Sequence, residues 1–389
     1  MIYRSFQGLN LSCLGMGAMR LPKTGEGEKI DEAKAREIIE YAYEQGINYF
    51  DTAYRYHGGE SETFVGRVLQ QYPRESFYLA TKFPGHMMEC RDGHLGFTSL
   101  LASHPPVASP ADVFEKQLEK CAVDYFDFYL LHNLCETAYD FYTDEQAGVV
   151  EYLVDQKKKG RIRHLGFSAH GRSDTIDSFL NHYHCFEFVQ IQLNYLDWTL
   201  QNAGRKYELI TKHGLPVVVM EPCRGGRLAF LNDDLTAMLK KARPHDSVAS
   251  WAFRFLQSLP NVQVVLSGMT TMDQLKENIE TFSKNDPVKG DEKELLDRVV
   301  KALVDMVPCT LCRYCCEGCP KELDIPHLIT LYNELKFGNP QYSLNETLRT
   351  MQEPARPSAC IGCGACAKVC PQSIAIPAVL RDFAGMLKS

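Results

Sequence analysis

Short runs of β-branched and aromatic residues alternate with longer amphipathic segments along most of the chain, from Leu14 to about Phe282. Such alternation is typical of strand–helix–strand units, whose strands lie parallel in one sheet. A representative helical segment, DEAKAREIIEYAYEQG, has apolar residues at helical spacing and ends at a glycine, a frequent helix terminator. Eight units of this kind predict a (β/α)8 barrel. The eight predicted strands are Leu14–Met19, Ile47–Thr52, Phe77–Lys82, Phe126–Leu131, His164–Ser168, Phe188–Leu193, Pro216–Glu221 and Val262–Ser267.

The composition is that of an ordinary globular protein. Of 389 residues, 45% are hydrophobic, and 42 Lys+Arg against 49 Asp+Glu give a net charge of −7. This length accommodates a barrel of about 250 residues and a smaller domain. The acidic balance, without any Lys/Arg-rich run, argues against binding to nucleic acid or to an anionic membrane surface. No apolar run approaches about 18 residues and the N-terminus lacks the apolar core of a secretory signal, so we expect a cytoplasmic protein.

Cysteine is unusually abundant near the C-terminus. The chain has 15 cysteines, which cannot form a disulfide framework in a cytosolic protein. Eight of them form two runs of the pattern C-x2-C-x2-C-x3-C-P, which end at Pro320 and Pro371. Such thiolates suit iron–sulfur clusters, and the doubled run with its trailing prolines favours them over zinc, the alternative. The eight are Cys309, Cys312, Cys315, Cys319, Cys360, Cys363, Cys366 and Cys370.

The segment from Pro308 to Ile376 therefore resembles a bacterial two-cluster [4Fe-4S] ferredoxin domain with a helical insertion between its halves. The resemblance implies a crossed ligand set, in which the fourth cysteine of each run binds the cluster of the other run. Cys316 is an additional thiol inside the first run and is interpreted as a non-ligand. One cluster would use Cys309, Cys312, Cys315 and Cys370, and the other would use Cys360, Cys363, Cys366 and Cys319.

The polar segment Ser283–Gly290 contains Pro and Gly and is predicted to be a domain boundary. It precedes an amphipathic segment, Glu292–Val307, which we interpret as a helix that docks onto the barrel. The chain is thus divided into a barrel (1–282), a linker with a docking helix (283–307) and a small, mainly α-helical ferredoxin-like iron–sulfur domain (308–389). Two long connections in the barrel, Pro84–Pro110 and Asn133–Asp144, are expected to wall a substrate pocket, with disordered surface as the alternative.

Ionisable side chains stand at the ends of the second, third and fourth predicted strands, in the sequences FDTAYRYHGGESE, LATKF and YLLHN. Because the strand ends of a barrel converge on one mouth, we expect these side chains to meet there. A tyrosine with a pKa of about 10 needs a neighbouring cation to act as a general acid near neutral pH, and Lys82 could supply that charge to Tyr56. Asp51 would hold and balance Lys82. His132 could donate to a substrate carbonyl oxygen.

Over about residues 1–282 these motifs resemble the aldo-keto reductase family. The Asp-Thr-Ala-x-x-Tyr pattern of that family selects Tyr56 over Tyr54 as the catalytic tyrosine. The resemblance implies an enzyme that interconverts a small-molecule carbonyl and an alcohol with NADH or NADPH. It also implies a catalytic tetrad and two sets of cofactor contacts. The tetrad is Asp51, Tyr56, Lys82 and His132, and the matches to contacts at the nicotinamide and adenosine ends are Ser168, Gln190, Glu277 and Asn278.

The chain departs from the family where the 2′-phosphate of NADP would bind. Many members have a Lys or Arg there, whereas this chain has Gly268, Met269 and Gln274. We therefore expect a preference for NADH, unless Lys276 or Arg227 compensates.

Other departures lie near the nicotinamide and the pyrophosphate. Met220 stands where many members stack an aromatic ring, and Ala169 follows Ser168 where an amide is usual. Glu221 occupies a position where small polar residues are common. The stretch Arg224–Arg227 could cradle a pyrophosphate or form a basic surface loop. The full set of expected cofactor contacts is Ser168, Gln190, Met220, Arg224, Gly226, Ser267, Gln274, Glu277 and Asn278.

The two halves perform different electron chemistry. Hydride transfer moves two electrons at once, whereas a cubane cluster passes one, so communication between them needs a flavin, a radical-tolerant substrate or a partner. No diagnostic flavin motif is present in the barrel. Three hypotheses follow. The clusters could exchange electrons with a ferredoxin or flavoprotein, they could be structural or sense oxygen, or the barrel could be a nucleotide-binding scaffold in an electron-transfer complex.

Overall fold

The computed structural model describes residues 1–25, 29–98, 107–303, 307–309, 313–336, 348 and 351–387. Among these residues no helix is long and apolar enough to cross a membrane. The strands are β1 (Tyr3–Phe6), β2 (Leu9–Ser12), β3 (Leu14–Gly17), β4 (Tyr49–Asp51), β5 (Tyr78–Phe83), β6 (Met88–Arg91), β7 (His94–Phe97), β8 (Phe126–Leu134), β9 (Ile162–Ala169), β10 (Phe188–Gln192), β11 (Val217–Met220) and β12 (Val262–Ser267). The α-helices are Glu32–Glu44, Ser61–Leu69, Pro110–Cys121, Tyr139–Thr143, Val149–Lys158, Ser173–His182, Asp197–Leu200, Ala203–Lys212, Asp233–Ala242, Val248–Gln257, Met272–Ser283, Asp291–Leu303, Tyr314–Glu317, Ile325–Lys336, Ala365–Lys368 and Ile376–Met386.

Eight parallel strands close into a barrel in the order β3-β4-β5-β8-β9-β10-β11-β12, with β12 paired to β3. Each overlaps one of the predicted strands, so the predicted (β/α)8 barrel is confirmed. The boundaries differ most at β8, which continues past its predicted end at Leu131. Leu134 still pairs with Ala169 of β9 across a register shift. This extension carries the residues that follow Leu131 towards the carboxyl end of the barrel.

The antiparallel hairpin of β1 and β2 is a feature that the sequence did not predict. The Phe6 ring centroid lies 5.4 Å from that of Phe128 and 4.9 Å from that of His164. Phe6 and Leu11 belong to one buried cluster with residues of several barrel strands, including Tyr49 and Phe188, the first residues of β4 and β10. The hairpin therefore covers the amino ends of the strands, opposite the carboxyl ends where ionisable residues were expected.

The long connection after β5 also contains order that the sequence did not predict. Its described part includes the hairpin of β6 and β7, while residues 99–106 lie outside the described part of the chain. Phe97 of this hairpin packs against Tyr54, with ring centroids 5.5 Å apart. The described residues of this connection thus form a wall beside the turn that follows β4.

The chain forms two compact units. The first comprises Met1–Asn194, Asn202–Gly225 and Ser250–Val288, and the second comprises Tyr195–Gln201, Gly226–Ala249 and Lys289–Ser389. In the second unit the helix Asp291–Leu303 packs against the helix Asp233–Ala242. Arg243 Nε donates to Glu292 Oε1 over 2.6 Å beside this contact. The predicted docking helix therefore begins close to its expected start, and residues 304–306 of that prediction lie outside the described residues.

The second unit contains its own hydrophobic core, built by the helices Ile325–Lys336 and Ile376–Met386. Leu328 and Leu380 are buried in this core together with two of the predicted cluster ligands, Cys315 and Cys366. The cysteines are therefore part of the packing of this unit, and not only appended to its surface.

The helices Ser61–Leu69 and Pro110–Cys121 pack closely against each other around the barrel. A Cβ on Gly66, in the helix Ser61–Leu69, would lie 2.2 Å from the backbone oxygen of Cys121. We expect Gly66→Ala to lower the free energy of unfolding by about 3 kcal/mol, near the upper end for overpacking, because a backbone carbonyl cannot rotate away. Chemical denaturation of the purified variants measures this loss.

Gly96→Ala is the matched control, because nothing lies within 4 Å of a Cβ built on Gly96 and its φ is not positive. Equal stabilities of the Gly66→Ala and Gly96→Ala proteins would contradict the predicted close contact.

Candidate functional site

The four expected catalytic side chains converge at the carboxyl ends of adjacent strands. Asp51 ends β4 and Lys82 lies in β5, while His132 lies in the extended part of β8. Tyr56 begins the short turn Tyr56–Gly59 after β4. In that turn His57 has a φ of 54° and is followed by two glycines with positive φ, a geometry that reverses the chain sharply. Tyr56 immediately precedes this reversal, and its hydroxyl lies at the barrel mouth beside Lys82.

Lys82 is the centre of the site. Its side chain is 0% exposed, and its Nζ lies 2.6 Å from Asp51 Oδ1 and 2.8 Å from the backbone oxygen of Thr52. Nζ also lies 3.5 Å from the Tyr56 hydroxyl. Burial alone would lower the pKa of Lys82, but the negative charge of Asp51 and the neighbouring Tyr56 raise it above its ordinary value. Lys82 is therefore a permanent cation beside the tyrosine hydroxyl.

Burial has the largest effect on the pKa of Tyr56. It raises the pKa of Tyr56 above its ordinary value, and the opposing charge of Lys82 offsets only part of this increase. The effect expected from the sequence, a lowering by Lys82, is thus present but smaller than the effect of burial. At neutral pH the Tyr56 hydroxyl retains its proton, as a proton donor must.

His132 is held as a neutral imidazole. Its pKa lies well below the ordinary value because of burial, and then because of the neighbouring charge of Lys82. The His132 ring stands at 84° to the Tyr56 ring with 6.0 Å between centroids, so the two face one common space. The Tyr142 hydroxyl donates to the backbone oxygen of His132 over 2.7 Å and fixes the strand end. A neutral imidazole in this position can donate a hydrogen bond to a carbonyl oxygen.

A buried polar network lies under Lys82 and was not predicted from the sequence. Glu62, whose side chain is 0% exposed, accepts from Thr81 Oγ1 over 2.6 Å and from Lys120 Nζ over 3.1 Å. Gln117 Nε2 donates to Glu62 Oε1 over 2.5 Å and to the backbone oxygen of Lys82 over 3.0 Å. The only sequence signal was the final Glu of the motif FDTAYRYHGGESE, which carries no information about its distant partners.

The expected nicotinamide contacts lie on β9, β10 and β11. Ser168 Oγ accepts from the backbone N–H of Asn133 over 2.8 Å, which leaves its hydroxyl proton free to donate. Gln190 Nε2 lies 3.5 Å from Met220 Sδ. Gln190 Oε1 is buried without a hydrogen-bond partner among the described residues, an arrangement that costs free energy unless a ligand supplies a donor. A carboxamide N–H group fits this orphaned oxygen.

The expected contacts at the adenosine end follow β12. Asn278 Nδ2 donates to Ser267 Oγ over 3.1 Å, and both residues are buried. Gln274 instead caps its own helix, since its Oε1 accepts from the backbone N–H of Thr270 over 2.8 Å and also from that of Thr271. Its side chain is therefore engaged locally. Glu277 is on the same helix, Met272–Ser283.

The expected pyrophosphate stretch forms a short 3-10 turn, Arg224–Ala229. Arg224 has a φ of 48° and Gly226 has a φ of 94°, so successive residues adopt the left-handed conformation. Such turns can present backbone N–H groups to an anion. The division between the two units falls within this turn, since Gly225 belongs to the first and Gly226 to the second.

The cysteines line two cavities of the second unit. One cavity is lined by Cys319, Cys360, Cys363 and Cys366, and another by Cys309, Cys315 and Cys370. Cys312 lies outside the described residues. Among described residues no three His, Cys, Asp or Glu side chains converge to hold a single metal ion, so these thiols surround a space and do not meet at a point. A cubane, whose irons spread the ligands apart, fits this arrangement better than zinc.

Comparison with known proteins agrees with both halves of the chain. The model of the aldo/keto reductase family matches residues 13–300, and that of a 4Fe-4S dicluster domain matches residues 308–375. The oxidoreductase YqkF of Bacillus subtilis is 25% identical in an alignment of 316 residues that covers 76% of this chain and 92% of that protein. The NADH-specific methylglyoxal reductase of Escherichia coli is 26% identical in an alignment of 311 residues that covers 71% of this chain and 91% of that protein.

Solved structures agree as well. The holo form of aldo-keto reductase AKR11C1 from Bacillus halodurans superimposes with a TM-score of 0.61 and 26% identity, covering 77% of this chain and 96% of that one. The family match covers residues 13–300, which is most of the chain and includes all eight strands of the barrel. The chain is therefore an oxidoreductase of the aldo/keto reductase family that also carries a 4Fe-4S dicluster domain.

Proposed function

We propose that the barrel interconverts a small-molecule carbonyl and its alcohol with a nicotinamide cofactor, and that Tyr56 is the general acid. One observation supports this most directly, which is the buried Lys82 ammonium 3.5 Å from the Tyr56 hydroxyl. This cation stabilises the tyrosinate that forms once the proton has left. The alternative, in which the barrel is a nucleotide-binding scaffold without catalysis, does not explain a buried cation beside a tyrosine hydroxyl.

Each member of the tetrad has a distinct task in carbonyl reduction. A bound nicotinamide would supply the hydride, and Ser168 and Gln190 would hold its carboxamide. Neutral His132 donates to the carbonyl oxygen and directs it towards Tyr56. Tyr56 then transfers its proton to that oxygen as negative charge develops on it. Asp51 accepts a hydrogen bond from Lys82 Nζ over 2.6 Å and fixes the ammonium in place.

We propose NADH as the preferred cofactor. The stretch after β12 has Gly268, Met269 and Gln274, and the last of these is engaged in capping its own helix. None of the three offers a positive charge to a 2′-phosphate. The NADH specificity named for the Escherichia coli relative agrees with this preference.

In the proposal the C-terminal domain, 308–389, binds two [4Fe-4S] clusters with the crossed ligand set. The residues that line each cavity are grouped as that set requires. The clusters exchange electrons with a ferredoxin or flavoprotein, and a flavin or another converter is required wherever they communicate with the hydride chemistry of the barrel (1–282). The alternative, a structural or oxygen-sensing role, is favoured by the burial of Cys315 and Cys366 in the core of the second unit.

Removing the tyrosine hydroxyl tests the catalytic assignment. We expect Tyr56→Phe to lower kcat for carbonyl reduction by about 10²–10⁴-fold, because the proton donor is lost, while the Kd for NADH changes little. Steady-state kinetics and NADH titration measure the two quantities. Tyr54→Phe is the matched control, since the neighbouring Tyr54 ring packs against Phe97 and is expected to retain kcat within about threefold. Equal turnover of the Tyr56→Phe and wild-type proteins would exclude Tyr56 as the acid.

The raised pKa of Tyr56 and the lowered pKa of His132 predict how the rate of carbonyl reduction depends on pH. Tyr56 is protonated at every pH below its raised pKa, and His132 is neutral at every pH above its lowered pKa. We therefore expect kcat/KM for carbonyl reduction to be flat between about pH 6.5 and about pH 9, and to fall only as Tyr56 loses its proton at higher pH. Alcohol oxidation, which needs the tyrosinate, should accelerate as pH rises. An inflection of the reduction rate near an ordinary histidine pKa would contradict a neutral His132.

Removing one cluster ligand tests the iron–sulfur assignment. Cys363 is exposed, so its replacement should not disturb the core. We expect anaerobically purified Cys363→Ala to lose the iron of one cluster, about half of the total, and Cys316→Ala, the control at the extra thiol, to retain it all. Iron analysis and electron paramagnetic resonance after dithionite reduction measure this. Full iron content in Cys363→Ala would reject the ligand set, and unchanged turnover in the folded variant would exclude the lost cluster from the catalytic circuit.

A further inference from the structure

Arg20 crosses the mouth of the barrel between two loops. It follows β3, at the end of the 3-10 turn Ala18–Arg20. A Cβ on Gly268 would lie 2.9 Å from Arg20 Cβ, and a Cβ on Gly225 would lie 3.1 Å from Arg20 Nη2. The side chain therefore runs from the loop after β12 to the loop after β11. Both loops have a glycine where the arginine passes.

Among the described residues, the guanidinium has one anionic partner, and the contact is weak. Arg20 Nη2 lies 3.6 Å from Glu221 Oε1, and the two side chains are 47% and 27% exposed. An ion pair at this distance and exposure contributes little free energy, so a stronger anion can compete for the arginine. The backbone of Arg20 is fixed more firmly, because Thr270 Oγ1 donates to its carbonyl oxygen over 2.9 Å. The arginine is thus held at its base while its charged end remains available.

Arg20 lies beside the two stretches of chain at which the phosphates of the cofactor are expected. Gly268 and Thr270 belong to the stretch in which the family cation is missing, and Gly225 belongs to the stretch expected at the pyrophosphate. Glu221 stands in the same place and would repel an anion unless its charge were balanced. Arg20 comes from a different strand end, so comparison of the stretch after β12 alone does not reveal it.

We propose that Arg20 binds the diphosphate of the dinucleotide and that Glu221 holds the guanidinium in position before the cofactor enters. The planar guanidinium can donate two parallel hydrogen bonds to phosphate oxygens. The diphosphate is the site favoured over the 2′-phosphate, because the charged end of Arg20 lies at Gly225 while its stem lies at Gly268. This inference rests on the proposed use of a nicotinamide cofactor.

Calorimetric titration of the full-length, cluster-loaded protein tests the inference without relying on turnover. We expect Arg20→Gln to weaken binding of NADH, NADPH and ADP-ribose alike, by about tenfold or more, since all three contain the diphosphate. The matched control is Arg67→Gln, which removes an arginine of 48% exposure paired with Glu32 at 2.6 Å on the helix Ser61–Leu69. The control should change each Kd by less than about twofold.

The double variant Arg20→Gln/Glu221→Gln separates a direct contact from charge balance. We expect it to recover only part of the lost affinity, because the repulsion from Glu221 is gone but the hydrogen bonds of Arg20 are still missing. Complete recovery would overturn the direct contact, and weakening confined to NADPH would move Arg20 to the 2′-phosphate. Unchanged affinity in Arg20→Gln, with normal binding by the wild type, would overturn this inference alone. A wild type that binds none of the three ligands would overturn the proposed function as well.

Discussion

The buried ion pair between Lys82 and Asp51 is the interaction on which the site depends. An ammonium with no exposed surface is tolerable only if anions and carbonyl oxygens replace its lost water, and Asp51 and Thr52 do so at 2.6 and 2.8 Å. Removal of one partner would leave an uncompensated buried charge, at a cost of about 3–5 kcal/mol. The same pair joins the ends of β4 and β5, so its geometry is set by strand pairing. The stability of the fold and the proposed catalysis therefore both depend on the pairing of these two strands.

The network of Glu62, Thr81 and Gln117 extends this arrangement away from the barrel axis. Gln117, on the helix Pro110–Cys121, reaches the backbone oxygen of Lys82, and Glu62 is on the preceding helix of the barrel. A buried carboxylate with several donors is rigid, because each alternative position leaves a charge or a hydrogen bond unsatisfied. The two helices thereby fix β5 at Lys82, from the side of the strand that faces away from the barrel axis.

Much of the fold could be predicted from the sequence because parallel barrel strands are buried, β-branched and regularly spaced. The convergence of Asp51, Lys82 and His132 followed from topology alone, since strand ends meet at one mouth. The hairpin of β1 and β2 could not be predicted in this way, because Phe6 is explained only by its contact with Phe128, a residue far along the chain. The capping role of Gln274 and the path of Arg20 likewise depend on neighbours that spacing does not reveal.

The burial of Cys315 and Cys366 among the leucines and isoleucines of the second unit has a consequence for the life of the protein in a cell. If these core residues bind clusters as proposed, folding and cluster insertion are one event, and a chain that has not received its clusters lacks the bonds that tie this core together. Oxidative destruction of the clusters would expose that interior to chaperones and proteases, which act on the unfolded fraction. The abundance of the enzyme would then follow the supply of iron and the level of oxygen, whatever the clusters contribute to turnover.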